Sequence, residues 1–322
     1  MYFAKVPVAH QVQGSSWIEV TSEPGGLVTR QGAPYLVTPK TAYALSANGV
    51  HVTAKGHPLH WVDVPEPSGR GVWHLAMSSQ NLPLVGIGAP VYPSPNGQNV
   101  LWIDSGSRTP YLSPSNGALG VLSNRVRDVK RAVWAPDSQA VAFVAVGPEG
   151  RGVYQWDRDH HLSTVAVLSH TSVKVTGLGF GPQQTVLASF NNGRVVWQGH
   201  GTLPLPKLQS LALDPSQPSV VGLTPNHVVF WNSGHVGKFK RPDMKWIGKP
   251  RFSQNGQYAA VLAQSMGGEK SLLLYSGSTH LSVSMPFGRK AAYHLLGFIG
   301  SHWALVTVAS GVHRGTYAWW VR

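Results

Sequence analysis

The chain of 322 residues contains no cysteine. That excludes disulfide staples, thiolate zinc centres and cysteine nucleophiles. Acids are the second shortage: 13 Asp and Glu stand against 26 Lys and Arg, a formal charge of +13. Charged residues together make up only 12% of the chain, against about 25% in ordinary soluble proteins, so the imbalance reflects missing acids rather than surplus bases. Cleavage of a glycosidic bond needs two carboxylates held in a cleft. A pool this small weighs against such chemistry, although two well-placed acids would suffice. No apolar run approaches the length of a membrane span, and the opening MYFAKVPVAHQVQG lacks the apolar core of an export signal. The expectation is a cytoplasmic protein, or an extracytoplasmic one whose export segment lies upstream. Helix-period runs of useful length are missing too, as are a G-x-S-x-G elbow, an HExxH pair and a phosphate-cradling glycine loop.

What the chain does have is a repeat. Residues 130–157, KRAVWAPDSQAVAFVAVGPEGRGVYQWD, alternate small and large apolar residues up to Ala135. Pro136, Asp137 and Ser138 then supply turn chemistry, and residues 140–146 are apolar, β-branched and aromatic. A glycine-bounded break, a third run at 153–157 and a fourth at 162–168 complete the unit. Four antiparallel strands in about forty residues make a propeller blade. The W-A-P-D-S-x-x-V-A-F-V segment resembles the W-S-P-D-G-x-x-I-A-F repeat of TolB-type and WD-repeat-like β-propellers, and the turns at Ser94–Gly97 and Ser253–Gly256 are looser copies. The resemblance implies architecture and carries no function.

The predicted fold is therefore all-β: a propeller of four-stranded antiparallel blades, seven or eight in number and eight by repeat count, forming one domain over residues 1–322. Residues 17–48 read as a short first blade, and residues 50–54 open the second. Residues 2–8 read as the strand that closes the ring against the last unit, because closure removes an open edge. Trp61, Trp102 and Phe143 fall at constant spacing and are taken as equivalent core positions on successive second strands. Trp156, Trp197, Trp231, Tyr275 and Trp319 recur near the ends of third strands and are read as packing between blades. His57 with His60, and His160 with His161, are near neighbours but lack the third and fourth ligands that a zinc site needs. No metal or other cofactor is implied.

One pattern goes beyond architecture. Sorting bases by loop places more than half of the 26 on the edge formed by the second-to-third-strand loops and the connections between blades. Arg125, Arg127, Lys130 and Arg131 form one dense segment, with Arg151 and Lys174 following on the same edge. Arg241, Lys245 and Lys249 form another, interleaved with Trp246, and Arg289 and Lys290 add to it. The candidate ligand-binding residues are Arg125, Arg127, Lys130, Arg131, Arg241, Lys245, Trp246, Lys249, Arg289 and Lys290, and none is read as catalytic. Clustered like charges steer anionic partners, so the sequence favours a non-enzymatic binding or assembly module for an anionic polymer, surface or protein. Nucleic acid is allowed but not favoured. The alternative is a propeller hydrolase or lyase acting on carbohydrate or peptide at a central channel.

Overall fold

The computed structural model describes residues 10–11, 16–46, 49–52, 56–87, 90–114, 118–214, 217–232, 234–276 and 279–321. The unit read first in the sequence shows how the repeat folds. Arg127–Trp134, Ala140–Gly147, Gly150–Asp157 and Leu162–Val167 lie in that order in one antiparallel sheet. Its first turn is tight: Ser138 N donates to Ala135 O at 2.9 Å and Ala135 N to Ala140 O at 2.8 Å. Pro136 presets one backbone angle, and Ser138 takes a left-handed φ of 65°. The looser copies fold the same way, with Gly97 and Gly256 at φ 70° and 71°. There the hydroxyls of Ser94 and Ser253 accept the amides of Asn99 and Tyr258.

Eight such sheets follow one another, at residues 26–52, 60–87, 91–121, 127–167, 175–202, 210–240, 244–284 and 293–320. The protein is an eight-bladed β-propeller, as the repeat count indicated. The sheet at 60–87 has three strands among the described residues, where the others have at least four. A single 3-10 turn, Pro182–Gln184, is the one helical element among the described residues. Contacts divide the chain into two compact units, the first comprising Met1–Val28, Ala33–Gly56 and Pro204–Arg322 and the second Thr29–Gly32 and His57–Leu203.

In the first unit an N-terminal strand completes the last blade. Ile18–Thr21 pairs antiparallel with Gly315–Trp320, placing Ile18 opposite Ala318. Trp17 anchors that strand: it is 1% exposed, packs on Phe287 and Trp319, and donates its indole N–H to Ser284 O. Residues 2–8, expected to close the ring, lie outside the described residues. Residues 17–21, read as the start of the first blade, belong to the last one, and the first begins at Gly26. Gly49–Val52 pairs with Thr41–Ser46 and so ends the first blade rather than opening the second.

In the second unit Trp102 and Phe143 are buried in successive blades as expected. Trp61 is not their equivalent. It sits 43% exposed on the edge strand His60–Pro65, while Val72–Met77 runs through the middle of that sheet. Trp73 fills the core place, with its ring 5.1 Å from Trp102 and its indole N–H on Ile103 O. Polar His60 and Asp63 hold the outer strand at the surface, with Asp63 2.8 Å from His74. In the aromatic series Trp156, Trp197, Trp231 and Tyr275 are buried and Trp319 is partly buried.

Candidate anion-binding cleft

The inner strand Arg127–Trp134 carries a bulge between Arg127 and Arg131. A bulge bends its strand and re-aims its side chains. Here Asp128 turns to φ 54°, and Val129 is pulled inward, fully buried, with its amide on Arg108 O. Lys130 is left pointing outward and meets Asp128 at 3.2 Å. Arg131, beyond the bulge, reaches across to the next blade and donates to Thr176 O at 3.1 Å.

Arg151, at the start of the third strand, donates to Thr171 O at 3.0 Å and to Val173 O. The connection that carries Lys174 is held from its other side by Asn191, whose side-chain oxygen accepts the Lys174 amide while its amide nitrogen donates to Ser172 O. Together these elements wall a cavity of ≈ 380 Å³. Lys130, Arg131, Arg151 and Lys174 converge there with one carboxylate, Asp128, over an apolar floor that includes Val144, Leu168 and Val175. The two guanidiniums are oriented by carbonyls and keep further N–H donors. Four bases facing one acid give the cleft a net positive field.

The structure thus brings Lys130 and Arg131 together with Arg151 and Lys174. Arg125 and Arg127 are exposed nearby and do not line the cavity. The other segment, in the first unit, is organised differently. Trp246 is half-buried, packs against the core around Val221 and Val261, and donates its indole N–H to Thr224 O at 2.6 Å. Its ring is spent on packing. Arg241 lies against Tyr275, whose phenol is pushed up by burial and pulled partly back by that guanidinium. Arg289 pairs with Glu269 at 3.2 Å, while Lys245, Lys249 and Lys290 are exposed.

Part of the base excess is structural, which loop sorting could not show. Arg30 is buried and donates to Pro83 O and Leu84 O at 2.9 and 2.7 Å, and burial lowers its pKa to about 10. Arg251 donates to Leu296 O at 3.4 Å, and Lys270 to Arg289 O at 2.8 Å. These bases join blades through carbonyls and need no acids.

The buried acids of the second unit are likewise taken up. Glu66 accepts the amide and hydroxyl of Ser105, and Asp104 accepts the amide of Ser68 and both donors of Ser107. Burial alone would raise the Asp104 pKa, but the Ser107 and Ser68 donors outweigh it and hold it near about 2. Each carboxylate staples one loop to its neighbour, and Asp104, held ionised by its donors, is not set up as a general acid. Among the described residues no three His, Asp or Glu side chains gather as metal ligands. His57 bonds to Ser79, His160 packs on Trp156, and His161 lies 3.5 Å from Asp157. No helix among the described residues is long and apolar enough to cross a membrane.

No family model and no curated protein matches this chain. Solved structures do. The C-terminal WD40 domain of Sif2 superposes with a TM-score of 0.53 at 12% identity, over 93% of this chain and 97% of that one. A eukaryotic initiation factor gives 0.56 at 11% identity over 98% and 88%. An oligogalacturonate lyase from Vibrio parahaemolyticus gives 0.55 at 8% identity over 97% and 95%. The chain therefore shares the β-propeller fold of these structures. At these identities the likeness is one of fold, and the fold is common to a WD40 domain, an initiation factor and a lyase.

Proposed function

We propose that this protein is a non-enzymatic binding module that holds an anionic partner, whether polymer, surface or protein, at the basic cleft of residues 128–175. The observation that carries the reading is the convergence of Lys130, Arg131, Arg151 and Lys174 on one cavity with a single carboxylate among them. An acid group entering the cleft meets donors already oriented, so little ordering is lost on binding. The apolar floor removes water from beneath the charges, which strengthens each contact. Glu66 and Asp104, the buried acids of the second unit, are engaged in loop staples, which favours binding over hydrolysis.

Heparin serves as the test polyanion. Its affinity should fall steeply with salt, since the Debye length shrinks to about 8 Å at 0.15 M. Reversing Lys130 and Lys174 to Glu should weaken binding by at least about tenfold, equivalent to roughly 1.4 kcal/mol. Reversing Lys40 and Arg158 removes the same formal charge from exposed positions elsewhere and should change it by less than about twofold. Equal losses for the two pairs would mean that net charge, not the cleft, attracts the polymer. Anionic vesicles and an acidic peptide, run in parallel, separate the surface and protein forms of the partner.

A further inference from the structure

A second cavity, in the first unit, has the opposite chemistry. It lies between the blades of residues 210–240 and 244–284 and measures ≈ 320 Å³, near the lower end of the range for small-molecule sites. Trp231, Ala259 and Tyr275 form a buried floor, and Phe230 and Phe252 form half-buried walls. Gln217, Asn232 and Gln257 make an exposed rim of side-chain amides. The Gln257 amide is held in place, its oxygen accepting from Asn255 and its nitrogen donating to Tyr258 Oη. No Lys, Arg, Asp or Glu lines this cavity.

Ser219 supplies an independent observation. It lines the same cavity, is only 6% exposed, and its hydroxyl has no hydrogen-bond partner within the protein. Buried hydroxyls are nearly always bonded, and this one, with almost no open surface of its own, would meet an incoming polar atom once its side chain turns toward the cavity. Amides and a hydroxyl both donate and accept, which is the character of sugar hydroxyls. Ring faces suit the C–H face of a pyranose, since an apolar face and a polar edge of one ligand then meet an apolar floor and a polar rim. A cation would be repelled by a chain of charge +13, and an anion would find no Lys or Arg in the lining, where His235 is the one imidazole. We propose that this pocket binds one ring of an uncharged glycan. The site is separate from the basic cleft and does not depend on it.

The test titrates the whole chain with maltotriose, cellotriose, mannotriose and chitotriose, following Trp fluorescence and heat. One of the four should saturate at up to millimolar concentration, a weak but measurable affinity. Raising salt, or reversing Lys130 and Lys174 to Glu, should leave that binding unchanged. Gln217→Ala and Ser219→Ala should each weaken it by about five- to tenfold. Ser219→Ala should do so without lowering the thermal midpoint, because its hydroxyl makes no bond inside the protein. Failure of all four sugars to bind overturns the proposal. So does binding that weakens with salt, binding that ignores both variants, or preference for an uncharged tripeptide over every sugar.

Discussion

The blades at residues 127–167 and 244–284 are built to one plan, yet only the first opens into a basic cleft. Each has a bulged inner strand, with the register shifting between Arg127 and Arg131 in one and between Ile247 and Arg251 in the other. Each sends an arginine beyond the bulge to an inner-strand carbonyl of the next blade, Arg131 to Thr176 O and Arg251 to Leu296 O. Each also starts its third strand with a base that holds the following connection, Arg151 on Thr171 and Val173, Lys270 on Arg289 and Ala291. The difference lies in what fills the space beside those bases. Val175 opens the strand that faces Arg151, where Tyr293 opens the corresponding one and stacks under Lys270 at 4.6 Å. In the second blade Glu269 also neutralises Arg289. A dense run of bases makes a site only where rings and acids leave the bases open.

The comparison assumes that the two blades share a core register, and the largest effects test that. Phe143 and Val261 occupy the same place on their second strands, each packing toward the preceding blade, and both are buried. Phe143→Ala should cost about 3–5 kcal/mol and Val261→Ala about 1.5–3 kcal/mol in denaturant melts. A loss under about 1 kcal/mol at either position would break the equivalence.

The first-turn glycine of the second blade comes next. A Cβ on Gly256 would stand 2.1 Å from Asp214 Oδ2, at a backbone φ of 71°. Asp214 is fully buried, so its carboxylate has little room to give way. Gly256→Ala should therefore destabilise by about 2–4 kcal/mol, combining left-handed strain with overpacking. A neutral result in the same melts would show that the Asp214 loop yields.

Filling the cleft tests the comparison at the level of binding. Val175→Tyr places in the first blade the ring that covers the base in the second. Heparin affinity should fall by about tenfold, roughly 1.4 kcal/mol, with the thermal midpoint held within a few degrees. Retained affinity would mean that the exposed bases outside the cavity, Arg125 and Arg127 among them, do the binding.

The turns were the most legible part of the sequence, because Pro-Asp-Ser and Asn-Gly dictate backbone angles locally. They gave the repeat and its count. Strand order within a blade was harder. Trp61 and Trp73 sit on adjacent strands with similar composition, and only sheet pairing decides which strand is central. The partner of Ile18–Thr21 lies at the far end of the chain, where no local pattern points to it. The site was legible as charge but not as convergence. Lys130 and Arg131 were singled out, yet their meeting with Arg151 and Lys174 depends on a bulge and on backbone carbonyls, neither of which leaves a residue signature. Trp246 looked like an exposed anchor because its neighbours are lysines, and its indole bond to Thr224 O could not be foreseen.

The smallest effect returns to the same first turn. Ser138 holds in the first blade the left-handed position that Gly256 holds in the second, with φ 65° against 71°. Serine in that region is strained, and glycine would relieve the strain while raising the entropy lost on folding. The Ser138 hydroxyl, however, accepts the amide of Asn96 in the preceding blade at 2.9 Å, a bond of about 1 kcal/mol. These terms nearly cancel, so Ser138→Gly should shift stability by less than about 1 kcal/mol in either direction. Hydrogen exchange separates the terms that the melt combines. If the hydroxyl staples the blades, the Asn96 amide should lose protection in the variant while the Ala135 amide, bonded to Ala140 O within the turn's own blade, keeps its rate. Unchanged protection at Asn96 would assign the serine to backbone geometry alone, and the two turns would then differ only in the room each leaves for a Cβ.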